Sequence, residues 1–136
     1  AGNAGQTNEL IDRYPASYRE CLSIGSADNN LQRYCTSNMS RNLDMLAPGE
    51  KILSTYLDSG YKPESGTSMA TAFVAGALAL LKGYVIKKNI DIPSKDLTEI
   101  LKKTARRYDD EDRNNTYGYG VIDALAALHR IKETES

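Results

Sequence analysis

The sequence is poor in several residue types that direct protein chemistry: it has one histidine, two cysteines and no tryptophan. It also has no excess charge of either sign, since 17 lysines and arginines are balanced by 18 aspartates and glutamates. A near-neutral chain offers no basic surface for nucleic acid or for anionic lipid. No uninterrupted apolar run reaches the roughly 18 residues of a membrane-spanning helix. We therefore expect neither a nucleic-acid partner nor a membrane span.

The beginning of the chain lacks two further features, an initiator methionine and the charged and apolar regions of a signal peptide. It opens instead on Ala1-Gly2-Asn3-Ala4-Gly5, and we interpret this start as the product of processing or cleavage. The 136 residues, 40% of them hydrophobic, are enough for one globular unit with a buried core.

The two cysteines flank a turn-rich cluster that runs from Ser26 to Asn30. In a hairpin centred on Asp28, Cys21 and Cys35 would lie opposite each other, with Cβ atoms about 4.5–5.5 Å apart, close to disulfide range. One prediction is therefore a disulfide, which would indicate an oxidising compartment. The alternative is two buried free thiols.

Hydrophobic patterning predicts an α/β protein in which short strands alternate with helices. We expect strands over 21–25, 43–46, 52–56 and 118–122, and a loop over 59–65. The longest helix runs from Thr67 to Lys88 and is apolar on most sides in its first half, which predicts burial all round. Ser94 and Asp123 are expected to cap the two helices that follow. The dipeptide Tyr14-Pro15 is a turn with a candidate cis bond.

The strongest functional signal is a serine at the mouth of the long helix, within Gly66-Thr67-Ser68-Met69-Ala70. The first turn of a helix has unpaired backbone N–H groups and the positive end of the helix dipole. Such a position suits a nucleophile whose product is an oxyanion, and Gly66 lets a substrate backbone approach closely. The structural alternative is that Ser68 is only a helix cap.

This segment, followed by Val74-Ala75-Gly76, resembles the serine signature of the subtilisin-like serine peptidases, the subtilases. Three more segments resemble motifs of that family in its order: Ala1-Gly2-Asn3-Ala4-Gly5, Leu46-Ala47-Pro48-Gly49 and Gly118-Tyr119-Gly120-Val121-Ile122-Asp123-Ala124. The resemblance implies a three-layer α/β fold with a mainly parallel central sheet, of which residues 1–136 form the C-terminal half of one catalytic domain. It implies that Ser68 is the nucleophile and that the Asn3 side chain and the Ser68 N–H form the oxyanion hole. Substrate would be bordered by Gly2, Ala4, Gly5, Gly66 and Thr67.

The groups that would activate this serine are missing. The family order places Asp and His before the serine, whereas the single histidine here, His129, follows it on a solvated helix face. A serine without a base is a poor nucleophile at neutral pH. We therefore expect a non-covalent complex with an N-terminal fragment of the same protease, separated by autoproteolytic cleavage, that holds Asp and His. The alternatives are an inactive pseudoprotease or binding module, and a free-standing hydrolase that uses His129.

The resemblance also puts Arg13, just before Tyr14-Pro15, near the floor of the pocket for the substrate's P1 residue. A guanidinium there would favour Glu or Asp at P1, which suits a processing protease. The alternative is a solvent-facing arginine paired with Asp12 or Glu20.

No cofactor is expected to be required. The acidic loop 109–115 has EF-hand-like spacing, but an EF-hand is excluded because Asn115 stands where Gly is needed and Val121 where Glu is needed. The carbonyls around Ala16, Tyr18 and Cys21 resemble a weak calcium or monovalent-cation site of the family.

The resulting hypothesis is a serine endopeptidase that is secreted or extracytoplasmic, with a cytoplasmic location as the alternative.

Overall fold

The computed structural model describes residues 1–134. Within them, three α-helices and two small sheets follow a short 3-10 turn at Gly5–Thr7. In chain order the elements are β1 Ile24–Ala27, β2 Met45–Pro48, β3 Ile52–Thr55, β4 Tyr61–Glu64, α1 Thr67–Lys87, α2 Ser94–Lys103 and α3 Ala124–Glu133. The mixture of helices and strands agrees with the predicted α/β class.

The central layer is a parallel sheet of β1 and β2, with Ile24 paired to Met45. On the far side of β2, the Ile122 N–H donates to the Leu46 carbonyl over 2.9 Å. The predicted strand over 118–122 therefore joins the sheet, although only through isolated bridges. On the far side of β1, the ammonium of Ala1 donates to the Ile24 carbonyl over 2.8 Å. All four residues of β1 are buried, as expected for a strand with neighbours on both sides.

Helix α1 packs one face against this sheet. Its buried residues recur every three or four positions, as one face of a helix requires: they are Thr67, Ala70, Val74, Ala77, Leu81 and Val85. Most of them form one hydrophobic core with Ile24 of β1 and Met45 of β2, to which α2 and α3 add Leu97, Leu101, Ala127 and Ile131. This packing fixes the position of the N-terminus of α1.

The opposite face of α1 is uncovered, so the prediction of burial all round is wrong for this chain. Phe73, Leu80 and Ile86 are 44%, 77% and 64% exposed. By length and composition alone α1 could cross a membrane, because its most apolar window has a mean hydropathy of 1.7 and is only 28% buried. The pattern reports the helix composition correctly, but residues 1–134 contain no second layer to cover this face.

The expected loop over 59–65 is also wrong, because Tyr61–Glu64 pairs with Ile52–Thr55 as an antiparallel hairpin. The first three positions of the second strand are exposed, and it contains Pro63, a residue that argues against a strand in a sequence pattern. Pro63 within it lies on a two-stranded ribbon, where a missing N–H is tolerated.

The predicted disulfide is wrong, and the alternative of two buried free thiols is right only in that Cys21 and Cys35 are free, because both are exposed. A chain reversal does form between them, but its centre lies two residues further along than Asp28. The Asp28 N–H donates to the Gln32 carbonyl over 2.8 Å, so Asp28 is on one arm of the reversal rather than at its tip. In that register the two cysteines no longer face each other.

Of the two predicted helix caps, one is confirmed and the other is wrong. The Asp123 carboxylate accepts a hydrogen bond of 2.8 Å from the Ala126 N–H, which confirms it as the cap of α3. Ser94 is instead the first residue of α2 and makes no capping bond, because Pro93 takes the cap position. The φ of a proline is fixed near its helical value, which lets the helix begin directly after it. The bond between Tyr14 and Pro15 is cis, as predicted.

Candidate active site

Ser68 is the second residue of α1 and is exposed. The first intrahelical acceptor is the Gly66 carbonyl, which takes the Ala70 N–H over 3.4 Å. An amide in the first helical turn has no carbonyl four residues before it within the helix, so the Ser68 N–H is available to a ligand. The hydroxyl and this N–H share the positive end of the helix dipole.

Asn3 lies against the same helix end. Its Oδ1 accepts a hydrogen bond of 2.9 Å from the Thr67 N–H, and the Gly2 N–H donates to Thr67 Oγ1 over 3.2 Å. Because Oδ1 is bonded to the helix, the Nδ2 of Asn3 is left as a donor. Sixty-four residues separate Asn3 from Thr67, and the fold brings them into direct contact.

Gly66 has a φ of 152°, and a Cβ added there would lie 3.1 Å from Asn3 Nδ2. A side chain at this position would crowd the amide donor. The glycine of the serine motif therefore keeps open the space in front of Asn3 and Ser68.

The backbone N–H groups of the other predicted substrate-binding residues bond within the protein. The Ala4 N–H donates to Asn38 Oδ1 over 2.7 Å, and the N–H of the buried Gly5 donates to the Thr36 carbonyl over 2.9 Å. These amides bond within the protein, so they are not free for a substrate. Thr67 is also buried, and its backbone N–H and hydroxyl both bond to residues 2–3.

Arg13 is exposed beside the Asn3 segment. A Cβ added to Gly2 would lie 3.2 Å from Arg13 Cγ, so the aliphatic stem of Arg13 crosses Gly2. Arg13 lines a cavity of about 380 Å³ together with Tyr14, Ala16, Cys21, Leu22 and Thr71, among others. The side chain of Arg13 thus runs beside the segment that carries the amide donor.

The alternative partners of Arg13 are engaged elsewhere. Asp12 accepts a hydrogen bond of 2.6 Å from Ser40 Oγ and pairs with Arg41 at 3.5 Å. The Ser40 hydrogen bond, against a smaller opposing effect of burial, lowers the pKa of Asp12 below its ordinary value. Glu20 pairs with Arg19 at 3.3 Å.

A second cavity, of about 650 Å³, begins at Ser68 and continues along the uncovered face of α1. Its lining is mostly apolar and includes Ile52, Met69, Phe73, Gly76 and Leu80. The nucleophile candidate therefore lies at the end of an apolar groove. His129 lies exposed on α3, and among residues 1–134 no hydrogen bond joins it to Ser68.

The acidic loop does not assemble a metal site. Asp112 pairs with Arg107 at 2.7 Å, and Asn114 Nδ2 donates to Asp109 Oδ2 over 2.7 Å. Among residues 1–134, no three His, Cys, Asp or Glu side chains come together as a metal site would need.

The weak cation site suggested at the carbonyls around Ala16, Tyr18 and Cys21 stays a prediction, and the neighbouring cleft is occupied by charged side chains. The cleft beside Tyr18 and Cys21 also receives Lys102, whose ammonium lies 3.1 Å from Asp44 and 3.3 Å from Glu99. Burial acts to lower the pKa of Lys102, but the hydrogen bonds and charges of Asp44 and Glu99 outweigh it and raise the pKa. The carboxylates of Asp44 and Glu99 in this cleft are therefore paired with the lysine.

A serine and an amide donor at one helix N-terminus define a site suited to acyl transfer. Comparisons with known proteins agree: residues 1–120 match the model of the subtilase family, Peptidase S8. The chain belongs to the subtilase family.

The intracellular serine protease of Paenibacillus polymyxa is 46% identical over 140 aligned residues, which cover 99% of this chain and 42% of the relative. Subtilisin BL of Lederbergia lenta is 38% identical over 127 residues, covering 93% of this chain and 44% of the relative. The solved prenylagaramide maturation protease PagA matches with a TM-score of 0.84 and 28% identity, over 96% of this chain and 48% of that one. The chain thus spans less than half the length of these relatives, and its fold is that of about half a subtilase domain.

Proposed function

We propose that this chain supplies the nucleophile and the oxyanion hole of a serine endopeptidase. Ser68 Oγ attacks the carbonyl carbon of the scissile peptide bond and gives its proton to a histidine outside this chain. The developing oxyanion accepts hydrogen bonds from Asn3 Nδ2 and the Ser68 N–H. The C–N bond then breaks, the histidine proton goes to the leaving amine, and water hydrolyses the acyl-enzyme. The observation that carries this proposal is the hydrogen bond from Thr67 N to Asn3 Oδ1, which leaves Nδ2 as the free donor.

The histidine and aspartate are proposed to come from an N-terminal fragment of the same protease, docked on the uncovered face of α1. Three observations support this partner. The face is apolar, the groove along it begins at Ser68, and the chain covers 42% of the Paenibacillus relative. In addition, the protease domain of PatA has been solved in a form described as self-cleaved; it matches this chain with a TM-score of 0.82 and 25% identity, over 96% of this chain and 48% of that one.

The proposed P1 preference is for Glu or Asp, with Arg13 as the charged partner. The stem of Arg13 across Gly2 supports this, since the side chain runs beside the segment that carries Asn3. Two of the solved relatives are described as maturation proteases, which supports a processing role. Cleavage of peptide anilides that differ only at P1 tests the preference, and faster hydrolysis after Leu or Phe than after Glu rejects it.

A disulfide would have supported the proposed extracytoplasmic location, but both thiols are free. Fractionation of the source cells, followed by detection of this chain, decides between that location and the cytoplasmic alternative.

Labelling with a fluorophosphonate probe tests the central proposal. The natural preparation should label on Ser68, Ser68→Ala should abolish labelling, and His129→Ala should leave it unchanged. Mass spectrometry of the same preparation should find a second polypeptide that contains Asp and His. An unlabelled Ser68 in the presence of that polypeptide would indicate the inactive binding module instead.

A further inference from the structure

The segment that carries Asn3 is irregular backbone. Only residues 5–7 beyond it form a short 3-10 turn, and the exposed side chain of Asn3 cannot hold the segment by packing. Irregular segments keep a defined geometry only when other groups tie them down. An amide donor that acts on a transition state depends on such ties, since an error of about 1 Å can cost a hundredfold in rate.

Asn38 supplies three such ties, in addition to the hydrogen bonds that the segment makes with Thr67. Its Nδ2 donates to the Ala1 carbonyl over 2.9 Å, and its Oδ1 accepts from the Ala4 N–H over 2.7 Å. Its backbone N–H donates to the Gly2 carbonyl, also over 2.9 Å. The three bonds bracket Asn3, because they fall on the residues before and after it.

Asn38 is itself fixed, with no exposed surface. A Cβ added to Gly2 would lie 2.5 Å from Asn38 Nδ2, so the side chain is packed directly against the segment it bonds. The irregular segment of residues 36–38 runs alongside residues 2–5, and Arg33 Nη1 donates to the Ser37 carbonyl over 2.5 Å. The amide of Asn38 is therefore held in place by its burial and by the hydrogen bonds of the neighbouring residues.

We infer that Asn38 is a positioning residue for the oxyanion hole, acting through Asn3. Asparagine suits the task because one side chain provides both an N–H donor for Ala1 and a carbonyl acceptor for Ala4. Aspartate keeps the acceptor and loses the donor, and serine is too short to reach both. The inference rests on the proposed function, because the oxyanion role belongs to Asn3.

A kinetic comparison of Asn38→Asp and Asn38→Ser tests the inference in the natural protease preparation, with a peptide anilide carrying Glu at P1 or, if it is cut faster, Leu. Each variant should lower kcat by about ten- to a hundredfold and change KM by less than about twofold, since ground-state binding does not need the oxyanion donor. In an Asn3→Ala background the same changes should lower kcat little further. An equal loss with and without Asn3 would overturn the inference.

Ser37→Ala is the matched control. Ser37 is also fully buried, but its Oγ accepts from the Ser26 N–H over 2.9 Å, away from the oxyanion segment. It should lower the melting temperature as a lost buried hydrogen bond does and leave kcat within about twofold of the parent. A kcat loss equal to that of Asn38→Ser would reduce Asn38 to a merely structural role.

Amide hydrogen exchange gives a readout that needs no activity. In Asn38→Ser the Ala4 and Thr67 amides should exchange faster, Thr67 because its acceptor is Asn3 Oδ1, whereas Ser37→Ala should leave Thr67 unchanged. Unchanged Thr67 exchange in Asn38→Ser would overturn the inference. If Asn3→Ala leaves kcat unaffected while Thr67 exchange responds to Asn38, the oxyanion proposal fails and the positioning of Asn3 by Asn38 stands.

Discussion

Leu80 offers the sharpest test of the proposed docking face, through the change Leu80→Ala. The side chain is 77% exposed in this chain and lines the groove that begins at Ser68. Full burial of a leucine side chain contributes about 1.5–3 kcal/mol, and docking can remove roughly three quarters of that surface from water. Truncation should therefore weaken association with the N-terminal fragment by about 1–2 kcal/mol, or about five- to thirtyfold in Kd.

The matched control is Leu125→Ala. Leu125 is a leucine of comparable exposure, 62%, on α3, and it does not line the groove. The same atoms are removed, and alanine favours a helix as well as leucine does. Neither change should alter the free energy of unfolding of the chain by more than about 0.5 kcal/mol, because substitutions of exposed residues rarely do.

Isothermal titration of this chain with the separately produced N-terminal fragment measures both effects. Only Leu80→Ala should raise Kd and, at limiting concentration of the fragment, reduce fluorophosphonate labelling of Ser68. Equal Kd values for the two variants would show that the α1 face does not bind the fragment.

Three further predictions concern charge and capping. Lys102→Met should lower the melting temperature, since it leaves the Asp44 carboxylate, only 17% exposed, without its ammonium partner. Because the folded pKa of Lys102 is raised above the ordinary value of 10.5, its stabilisation is present below that pH and is lost as pH rises through the folded pKa. The stability difference between parent and Lys102→Met should thus shrink in alkaline urea titrations, and a difference that stays constant there contradicts this origin. Arg13→Glu should reverse the preference between Glu and Lys at P1 in peptide assays, and an unchanged ratio removes Arg13 from the pocket. Asp123→Ala should cost about 1 kcal/mol in urea unfolding through loss of the α3 cap, which Asp123→Asn should largely restore.

Much of this fold was predictable because its signals are local. The 3.6-residue period and the Asp123 cap mark helices from their own sequence, and the glycine of the serine motif marks a close approach of backbone and Asn3. The family motifs located Asn3 and Thr67, which the fold then joins by a hydrogen bond of 2.9 Å.

The features that the sequence did not predict share a different cause, because each depends on parts of the chain that are distant in sequence. The reversal near Asp28 differs from the expected hairpin by two residues, a register that tertiary packing decides. Asn38 lies in a polar run, Thr36-Ser37-Asn38, that resembles an exposed turn, and nothing local indicates that it is buried against residues 1–4. The apolar pattern of α1 predicts burial on every side, whereas residues 1–134 bury only one face of the helix.

The two free thiols give the protein a built-in means of observation. Cys21 borders both the cavity beside Arg13 and the cleft of Lys102, whereas Cys35 lines neither. With Cys35 replaced by serine, a fluorophore attached to Cys21 becomes a single probe at the edge of the Arg13 cavity. The same exposure sets a requirement for handling, because thiols that cannot reach each other within one molecule can still join two molecules when the solution is oxidising.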